Sequence, residues 1–271
     1  MKPWLSAMAT LALVLVGAHS ARAQQEITLI APNIMQGPFE ELLKGFEAKT
    51  GYKINATYAD EDMTKQRFLR GESFDVPILT NTGFTPLQEV TDSGKVIVTS
   101  GTPVAKIFVG VAVKKGAPKP NISTVEATKQ MFLNAKSIAY PDLAAVPSAG
   151  LSANGTIKVL GLEEQMRPKT KFGRGSSGTI GLVTSGEAEI GLTFLPRLTD
   201  PGIDVVGMMP REISPATVLM GYISTQARNP LIARDLLNYL ASDEMIPIYR
   251  KHSMQPGCPG PDSQRCNRLV E

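Results

Sequence analysis

Histidine and tryptophan are scarce in this sequence, and their scarcity limits the chemistry that it supports. The 271-residue chain has two histidines and one tryptophan, and both Trp4 and the first histidine lie among the first 23 residues. If that segment is removed, His252 is the one histidine left for base catalysis, and we interpret it as a surface residue in the tail region. The HExxH, GxSxG, Walker A and DxDxDG motifs are also missing. The sequence therefore carries no signature of a metalloprotease, a serine hydrolase, a nucleotide-binding loop or a calcium loop.

The sequence also lacks an uninterrupted apolar run of the ~18 residues that favour a membrane span. Its first apolar stretch, residues 5–18, is broken by small and polar positions, follows Lys2 and precedes Ala21-Arg22-Ala23. A short positive region, an apolar region and a small-x-small site are typical of a secretory signal. We predict that residues 1–23 are cleaved and that the mature chain begins near Gln24, outside the cytoplasm, with a retained anchor as the alternative. The segment has no cysteine to carry a lipid.

An excess of positive charge is missing as well. The chain has 28 Lys and Arg against 25 Asp and Glu, a formal charge of +3. Removing residues 1–23 takes away Lys2 and Arg22 and no acid, which leaves 26 against 25, a charge of +1. Nucleic-acid binding requires clustered basic residues in large excess, so we expect no nucleic-acid partner. Roughly 250 residues are enough for one large core or two lobes.

Only two cysteines are present, and both are close to the C-terminus. Cys258 and Cys266 flank a short loop rich in glycine and proline. Outside the cytoplasm this spacing favours a local disulfide, which would contribute roughly 2.5 kcal/mol in the chain-entropy model. The spacing does not fit a redox CxxC motif, and a single nearby histidine argues against a zinc site.

Apolar patterns of strand and helix alternate along the chain. Phe39, Leu42, Leu43 and Phe46 fall on one helical face, and Gly51 is placed to end that helix. We predict strands at 27–31, 53–58, 74–79, 104–113, 136–140, up to 194, at 204–208 and at 217–224, and helices at 39–50, before 71, up to 133, at 148–161, after 175 and from 230. The alternation indicates an α/β fold with mostly parallel sheets.

Three local details extend this prediction. The run 104–113 is apolar enough to be one central strand. Ser123 and Glu126 have the spacing of a capping box at the start of the following helix. Pro77 places its strand at a sheet edge, or itself at a strand end, because proline cannot donate to a strand ladder.

The stretch GRGSSGTIGLV suggests an anion site without catalysis. Small residues precede a helix, so free backbone N–H groups and the hydroxyls of Ser176 and Ser177 are available to an anion. The alternative is that one of these serines only caps the helix. The same two readings apply to PNIMQGP before the first helix and to VPSAG before the glycine-interrupted one.

Several stretches, in this order, resemble the periplasmic molybdate-binding protein family of ABC importers. They are ITLIAPNIMQGPFEELLKGFEAKTGYKI, QRFLRGESFDVPI, VPSAGLSANGTIKVLGL, and GEAEIGLTF followed by TVLMGYIS. The resemblance covers nearly all of residues 26–256. It implies a two-lobed type II periplasmic binding protein fold, with mixed sheets flanked by helices and a ligand cleft between the lobes. Lobe I would comprise 24–104 and 215–271, and lobe II 105–214.

The resemblance also implies candidate ligand-binding positions, at which this sequence departs from the family. A serine of the family's first ligand loop corresponds to Ile34 beside Asn33, and its serine-rich second loop corresponds to Asp60-Glu61-Asp62. The second-lobe helix start falls at Ala149 beside Ser148, and the next at Ser176 or Ser177. An aromatic hydroxyl of the family becomes Phe194. Three polar contacts of the family are therefore lost or reversed in charge.

The three acids admit two interpretations. Asp60 has the place of a helix N-cap, with Glu61 and Asp62 in the first turn, where the helix dipole favours acids by ~0.3–1 kcal/mol each. If one acid faces the cleft instead, it repels an anion ~4 Å away by roughly 4 kcal/mol at an effective dielectric of 20. The ligand would then carry a donor or positive group, and Tyr58, Tyr140 or Phe194 offers it a flat surface.

We therefore expect a monomeric periplasmic solute-binding protein that captures a small solute, an oxyanion or a small organic ligand, by hinge closure. It would deliver that solute to the permease of an ABC importer in the inner membrane, with no reaction catalysed and no cofactor or metal. The alternatives are a secreted α/β enzyme and a ligand-sensing module without an importer. A sugar is disfavoured because the mature chain has no tryptophan.

Overall fold

The computed structural model describes residues 26–84, 87–143 and 147–257, which form two mixed β-sheets flanked by helices. The predicted signal 1–23 and the predicted disulfide between Cys258 and Cys266 lie outside the described residues. Among the helices that are described, none has the length and apolar character needed to cross a membrane.

The first sheet has six strands. Its strands are β1 (Glu26–Pro32), β2 (Lys53–Ala59), β3 (Val76–Asn81), β4 (Val96–Ile107), β10 (Thr217–Ser224) and β11 (Gln255–Pro256). Their spatial order is β11-β4-β10-β3-β1-β2. β1 is parallel to β2 and β3, whereas β10 is antiparallel to both β3 and β4.

The second sheet has five strands. They are β5 (Val109–Lys114), β6 (Ile138–Pro141), β7 (Thr170–Gly173), β8 (Ile190–Phe194) and β9 (Ile203–Met208), in the order β7-β6-β8-β5-β9. β6 is parallel to β7 and β8, and β5 is antiparallel to β8 and β9.

The helices connect and cover these strands. They are α1 (Gln36–Thr50), α2 (Glu61–Leu69), α3 (Gln88–Asp92), α4 (Val125–Asn134), α5 (Pro147–Val159), α6 (Glu163–Met166), α7 (Gly175–Thr184), α8 (Pro230–Leu240) and α9 (Ile246–Lys251). The predicted face of α1 is confirmed, since Phe39, Leu42, Leu43 and Phe46 are all buried. Gly51 ends α1 in the left-handed conformation at φ +76°, which glycine adopts without a steric penalty.

The predicted central strand at 104–113 is wrong, because the run is divided between the two sheets. β4 ends at Ile107 in the first sheet and β5 begins at Val109 in the second, with Phe108 between them. Both halves are apolar because each is buried in its own sheet. Apolar character reports burial and not sheet membership, so the sequence pattern does not reveal this crossover.

Three smaller predictions also need correction. The sheets are not mostly parallel, since five of the nine strand pairings among the described residues are antiparallel. The N-cap of α4 is Thr124, whose hydroxyl accepts the Ala127 N–H at 3.1 Å, and not Ser123. Pro77 is near the start of β3, as predicted for a strand end, but β3 lies inside the sheet between β1 and β10.

A buried carboxylate ties the amino end of the first sheet together. Asp75, just before β3, is 2% exposed. Its carboxylate accepts hydrogen bonds from the N–H and hydroxyl of Thr28 and from the N–H and guanidinium of Arg228, at 2.7, 2.8, 2.7 and 3.0 Å. Burial by itself raises the pKa of Asp75, but the bonds from Arg228 and Thr28 outweigh it and leave that pKa lowered. The acid therefore joins β1, β3 and the segment before α8.

Candidate functional site

A polar cavity of about 420 Å³ lies where strands of both sheets end. Its walls follow the carboxyl ends of β1, β2, β7 and β8, the edge at which open α/β sheets usually hold ligands. The cavity is lined by Asn33, Asp60, Glu61, Arg174, Gly175, Ser176, Ser177 and Arg197. The first three of these belong to the first-sheet side and the other five to the second-sheet side. We call this space the central cavity.

Asn33 links the two sides of the central cavity. The guanidinium of Arg197, which lies in the 3-10 turn after β8, donates to Asn33 Oδ1. The Asn33 Nδ2 group in turn donates to Asp60 Oδ1 at 2.6 Å. The Asn33 amide therefore lies between the Arg197 cation and the Asp60 anion and is hydrogen-bonded to both.

The three acids after β2 have three different environments. Asp60 is at the N-cap position of α2, as predicted, but its side chain makes no capping bond, since the carboxylate faces Asn33. Glu61 is 4% exposed and lines the central cavity. Asp62 points away from the central cavity and accepts a hydrogen bond from Gln66 one turn later. The acids are therefore neither all outward caps nor all ligand-facing.

Glu61 is the unusual member of this group. Among the described residues its carboxyl has no hydrogen-bond or ion-pair partner except its own backbone N–H. Burial raises its pKa, and the neighbouring charge of Asp60 adds to the increase, while its own N–H and the Arg197 charge oppose it only in part. A buried carboxyl without partners next to an anionic neighbour favours the protonated form.

The second-sheet side presents the start of α7. Gly175 begins this helix at φ +67°, and the first N–H groups of a helix have no partner within it. Neither predicted serine caps α7, because the N-cap is Arg174 and makes no side-chain capping bond. Ser176 instead shares a 2.7 Å hydrogen bond with Thr193 of β8, and Ser177 is exposed to the cavity. Both the N–H groups and the Arg174 charge therefore remain available to an anion.

Besides Asp62, four predicted binding residues do not line the central cavity. Ser148 is hydrogen-bonded to Thr80 at 3.2 Å, and Ala149 is fully buried beside it. Phe194 is 1% exposed and belongs to the core. Ile34 is buried and lines a neighbouring cavity of about 260 Å³, which shares Asn33 and Arg197 with the central one.

The aromatic candidates also lie elsewhere. Tyr140 is buried, donates to Asn154 at 3.4 Å and packs edge-on against Phe172. Tyr58 is half-buried in β2, where burial raises its pKa to about 12. Neither ring lines the central cavity, so the predicted stacking surfaces have no place in it.

His252 is not in a tail, which corrects the sequence interpretation. It directly follows α9, is half-buried and lines the neighbouring cavity, with its Nε2 atom 3.6 Å from Glu41. The helix α1 approaches this ring closely at Gly37, where a Cβ would come within 2.9 Å of it.

Three cavity-lining residues were missed, Gly175 and the two arginines Arg174 and Arg197. Arg174 stands inside the GRGSSG stretch that was already considered for anion binding, and Arg197 follows the predicted strand by three residues. A basic residue within three residues of a strand's carboxyl end was the signal that could have identified both arginines.

A larger cavity, of about 530 Å³, lies at the opposite end of the second sheet beside α4. Its two charged residues are already engaged, Lys119 by the carbonyl of Val205 and Glu189 by the N–H of Lys136. We therefore place the candidate site in the central cavity. Within the described ranges, no three His, Cys, Asp or Glu side chains are grouped to hold a metal ion.

Comparisons with known proteins bear on the family and the fold. Aconitate isomerase from a Pseudomonas species is 29% identical in an alignment 272 residues long, which covers 94% of this chain and 98% of that protein. The periplasmic molybdate-binding protein of Azotobacter vinelandii has a TM-score of 0.63 at 14% identity, covering 86% of this chain and 100% of its own. PEB3 of Campylobacter jejuni, solved with L-phospholactate bound, has a TM-score of 0.61 at 17% identity, covering 84% and 99%.

The structural likenesses are below 25% identity, so they show the fold: two α/β lobes of the periplasmic binding protein type. They confirm the resemblance to molybdate-binding proteins at that level. The sequence profile of bacterial extracellular solute-binding proteins matches residues 27–255, nearly the whole described chain. This chain belongs to the bacterial extracellular solute-binding protein family.

Proposed function

We propose that the protein captures a small organic anion with two or more carboxylates in the central cavity. The observation that carries this proposal is the convergence of Arg174, Arg197 and the start of α7 on one cavity. Guanidinium groups bind carboxylates with paired hydrogen bonds, and helix starts favour negative charge. Such a surface on one side of a cleft is suited to more than one acidic group.

The size of the cavity favours an organic ligand over a simple oxyanion. A volume of about 420 Å³ falls in the range of sites for organic molecules, which is about 300–1,000 Å³. The names of the compared proteins support the same class. Aconitate is a tricarboxylate, and phospholactate combines a carboxylate with a phosphate.

The acids of the first-sheet side are compatible with this ligand. Asp60 already receives a hydrogen bond from Asn33, which offsets part of its charge. Glu61, with its raised pKa, adds no full negative charge when it is protonated. With Glu61 protonated and Asp62 outside the cavity, the repulsion expected from three ionised acids falls to that of one partly compensated carboxylate.

Membership of the solute-binding family supports the proposals on secretion, lobe closure and delivery. A cleaved signal at 1–23 would release the mature protein to the periplasm. Its two lobes, 24–104 with 215–271 and 105–214, would close on the ligand by a hinge motion. The closed form would then deliver the anion to the permease of an ABC importer.

A thermal-shift screen of residues 24–271 tests the ligand class. Tricarballylate, citrate, trans-aconitate and succinate would be compared with molybdate and phosphate. A ligand at a hundredfold excess over its Kd stabilises the native state by ~2.7 kcal/mol, so we expect clear shifts with the tricarboxylates. The Arg197→Gln variant should lose the shift, and Arg167→Gln, at an exposed arginine outside the cavity, should keep it. A shift with molybdate alone contradicts the proposal.

A second candidate function is isomerisation of an unsaturated carboxylate such as aconitate. It is favoured by Glu61, a partner-free buried carboxyl inside the cavity, and by the relative named aconitate isomerase. In its ionised form Glu61 would take a proton from the CH₂ carbon between the alkene and a carboxylate. It would return that proton to the far carbon of the allylic anion, which moves the double bond and leaves the formula unchanged.

Proton NMR in D₂O separates the two functions. An isomerase converts trans- to cis-aconitate over many turnovers and exchanges its methylene protons for deuterium, and Glu61→Gln stops both while binding persists. A protein that binds aconitate without catalysis converts no more than one aconitate molecule per protein molecule. Turnover that survives Glu61→Gln would remove this carboxyl from the mechanism.

A further inference from the structure

The environment of Glu61 suggests how binding at the central cavity is regulated, and the inference rests on the proposed anion ligand. We propose that the protein binds its anion together with one proton, which is carried by Glu61. The carboxyl then acts as a neutral hydrogen-bond donor to a ligand oxygen. Capture of the anion becomes weaker as the pH rises.

The first observation is geometric. Glu61 is the first residue of the nine-residue helix α2, it is 4% exposed, and it lines the cavity that Arg174 and Arg197 also line. No side chain among the described residues donates a hydrogen bond to it. A carboxyl that is buried, unpaired and turned to a ligand space has the ligand itself as its available partner.

The second observation is the set of charges around it. Asp60 precedes it in the chain, and the cationic Arg197 and Arg174 face the same cavity from the second-sheet side. Asp62 on its own helix is engaged by Gln66. Lys65, one turn after Glu61 on α2, is paired with Glu89 at 3.1 Å. Of the other elements packed on α2, β3 has no charged residue, and the charged residues of β1 and β2 are Glu26 and Lys53 at their amino ends. Lys158 of α5 is near the far end of that helix, beside Glu163 at 3.7 Å.

These charges change when an anion enters. In the free protein the guanidinium of Arg197 partly offsets the negative form of Glu61. A bound carboxylate occupies that guanidinium and adds its own negative charge, so the ionised form of Glu61 loses its support and gains a repulsive neighbour. Protonation removes the repulsion and supplies an O–H donor. The anion and the proton therefore favour one another's binding, and this coupling is reciprocal.

Isothermal titration calorimetry with tricarballylate tests the coupling directly. This saturated tricarboxylate cannot be isomerised and is fully ionised above about pH 7, so its own protonation does not contribute there. Titrations in HEPES and in Tris, whose ionisation enthalpies differ, give the number of protons taken up. We expect about one proton per ligand in the wild type, and a Kd that rises by up to about tenfold per pH unit while Glu61 is ionised in the free protein and protonated in the complex.

Two variants locate the proton. Glu61→Gln keeps the shape and a donor, so we expect its Kd within about threefold of the wild-type value at the lower pH, with no proton uptake and no pH dependence. Asp62→Asn changes a carboxyl of the same helical turn outside the cavity, and should leave the proton count at about one.

The possible contrary results are distinct. Binding without proton uptake overturns the inference and leaves the proposed function standing. Proton uptake that persists in Glu61→Gln assigns the proton to another group. A large loss of affinity in a folded Glu61→Gln shows that Glu61 works ionised. Either result overturns the inference. If the folded wild type binds none of the tricarboxylates, the proposed function fails and the inference fails with it.

Discussion

Two buried carboxyls stand at opposite ends of the first sheet and differ in almost every other respect. Asp75, at the amino end of β3, accepts four hydrogen bonds from Thr28 and Arg228. Glu61, beyond the carboxyl end of β2, is buried to a similar degree and receives no side-chain bond among the described residues. One carboxyl is satisfied by the fold, and the other takes its partner from the ligand in our proposal. Burial alone therefore does not tell a structural acid from a functional one, whereas its partners do.

The largest expected effect is on stability, at Asp75. Asp75→Asn keeps the volume but replaces an acceptor by a donor facing the donors of Thr28 and Arg228. We expect a loss of about 2–4 kcal/mol in the free energy of unfolding, because several buried groups lose their partner at once. Urea unfolding with an unchanged m-value measures this loss. Glu61→Gln is the matched control and should be neutral or stabilising at neutral pH, and equal losses in both variants would contradict the comparison.

A second effect concerns binding, at the cation facing Glu61. Arg197→Gln removes a charged donor from the central cavity and should weaken tricarballylate binding by about tenfold to a hundredfold, as expected for the loss of about 1.5–3 kcal/mol. Calorimetry gives the Kd, and Arg167→Gln serves as the control because that residue is exposed and outside the cavity. An unchanged Kd in Arg197→Gln would show that the guanidinium serves only to connect Asn33 across the cleft.

A third effect is the opposite sign of the two pH dependences. The pKa of Asp75 is lowered in the folded state, so its contribution to stability is present above its unfolded value of about 3.9 and is lost as the pH falls through the lower folded value. The pKa of Glu61 is raised, so its ionisation reduces stability as the pH rises from its unfolded value of about 4.3 through the higher folded value.

Thermal unfolding of the ligand-free protein across about pH 3–8 separates these contributions. The stability of Asp75→Asn should approach that of the wild type at the acidic end of this range. Glu61→Gln should gain in relative stability toward the neutral end. Identical pH profiles for the three proteins would mean that neither carboxyl changes its pKa on folding.

The sequence pattern led to the correct side of the fold but not to all of the correct residues. The order of strands and ligand loops placed Asn33, Asp60, Glu61, Ser176 and Ser177 near one another, and the structure brings them to one cavity. The resemblance to molybdate-binding proteins supplied Asn33 and the acids, and the glycine-rich helix start supplied the two serines. That these residues bind a ligand stays a prediction.

What the sequence pattern missed depends on contacts between distant segments. Ser148 has the right residue type and position, yet its hydroxyl is engaged by Thr80, 68 residues away. Arg197 looks like any surface arginine until Asn33, 164 residues earlier in the chain, fixes its direction. The division of 104–113 between two sheets is likewise decided by what each half packs against, since both halves are equally apolar.

The smallest expected effect completes the comparison within the acidic triplet itself. Asp62 is adjacent to Glu61 in sequence, but its carboxylate lies outside the central cavity and bonds to Gln66 on the surface of α2. Asp62→Asn should therefore change the Kd for tricarballylate by less than about twofold and the unfolding free energy by no more than about 0.5 kcal/mol. Asp60→Asn, measured beside it, removes a charge inside the cavity and should strengthen anion binding. If Asp62→Asn instead matches Asp60→Asn, the triplet acts as one diffuse negative field, and the distinct role argued for Glu61 loses its geometric basis.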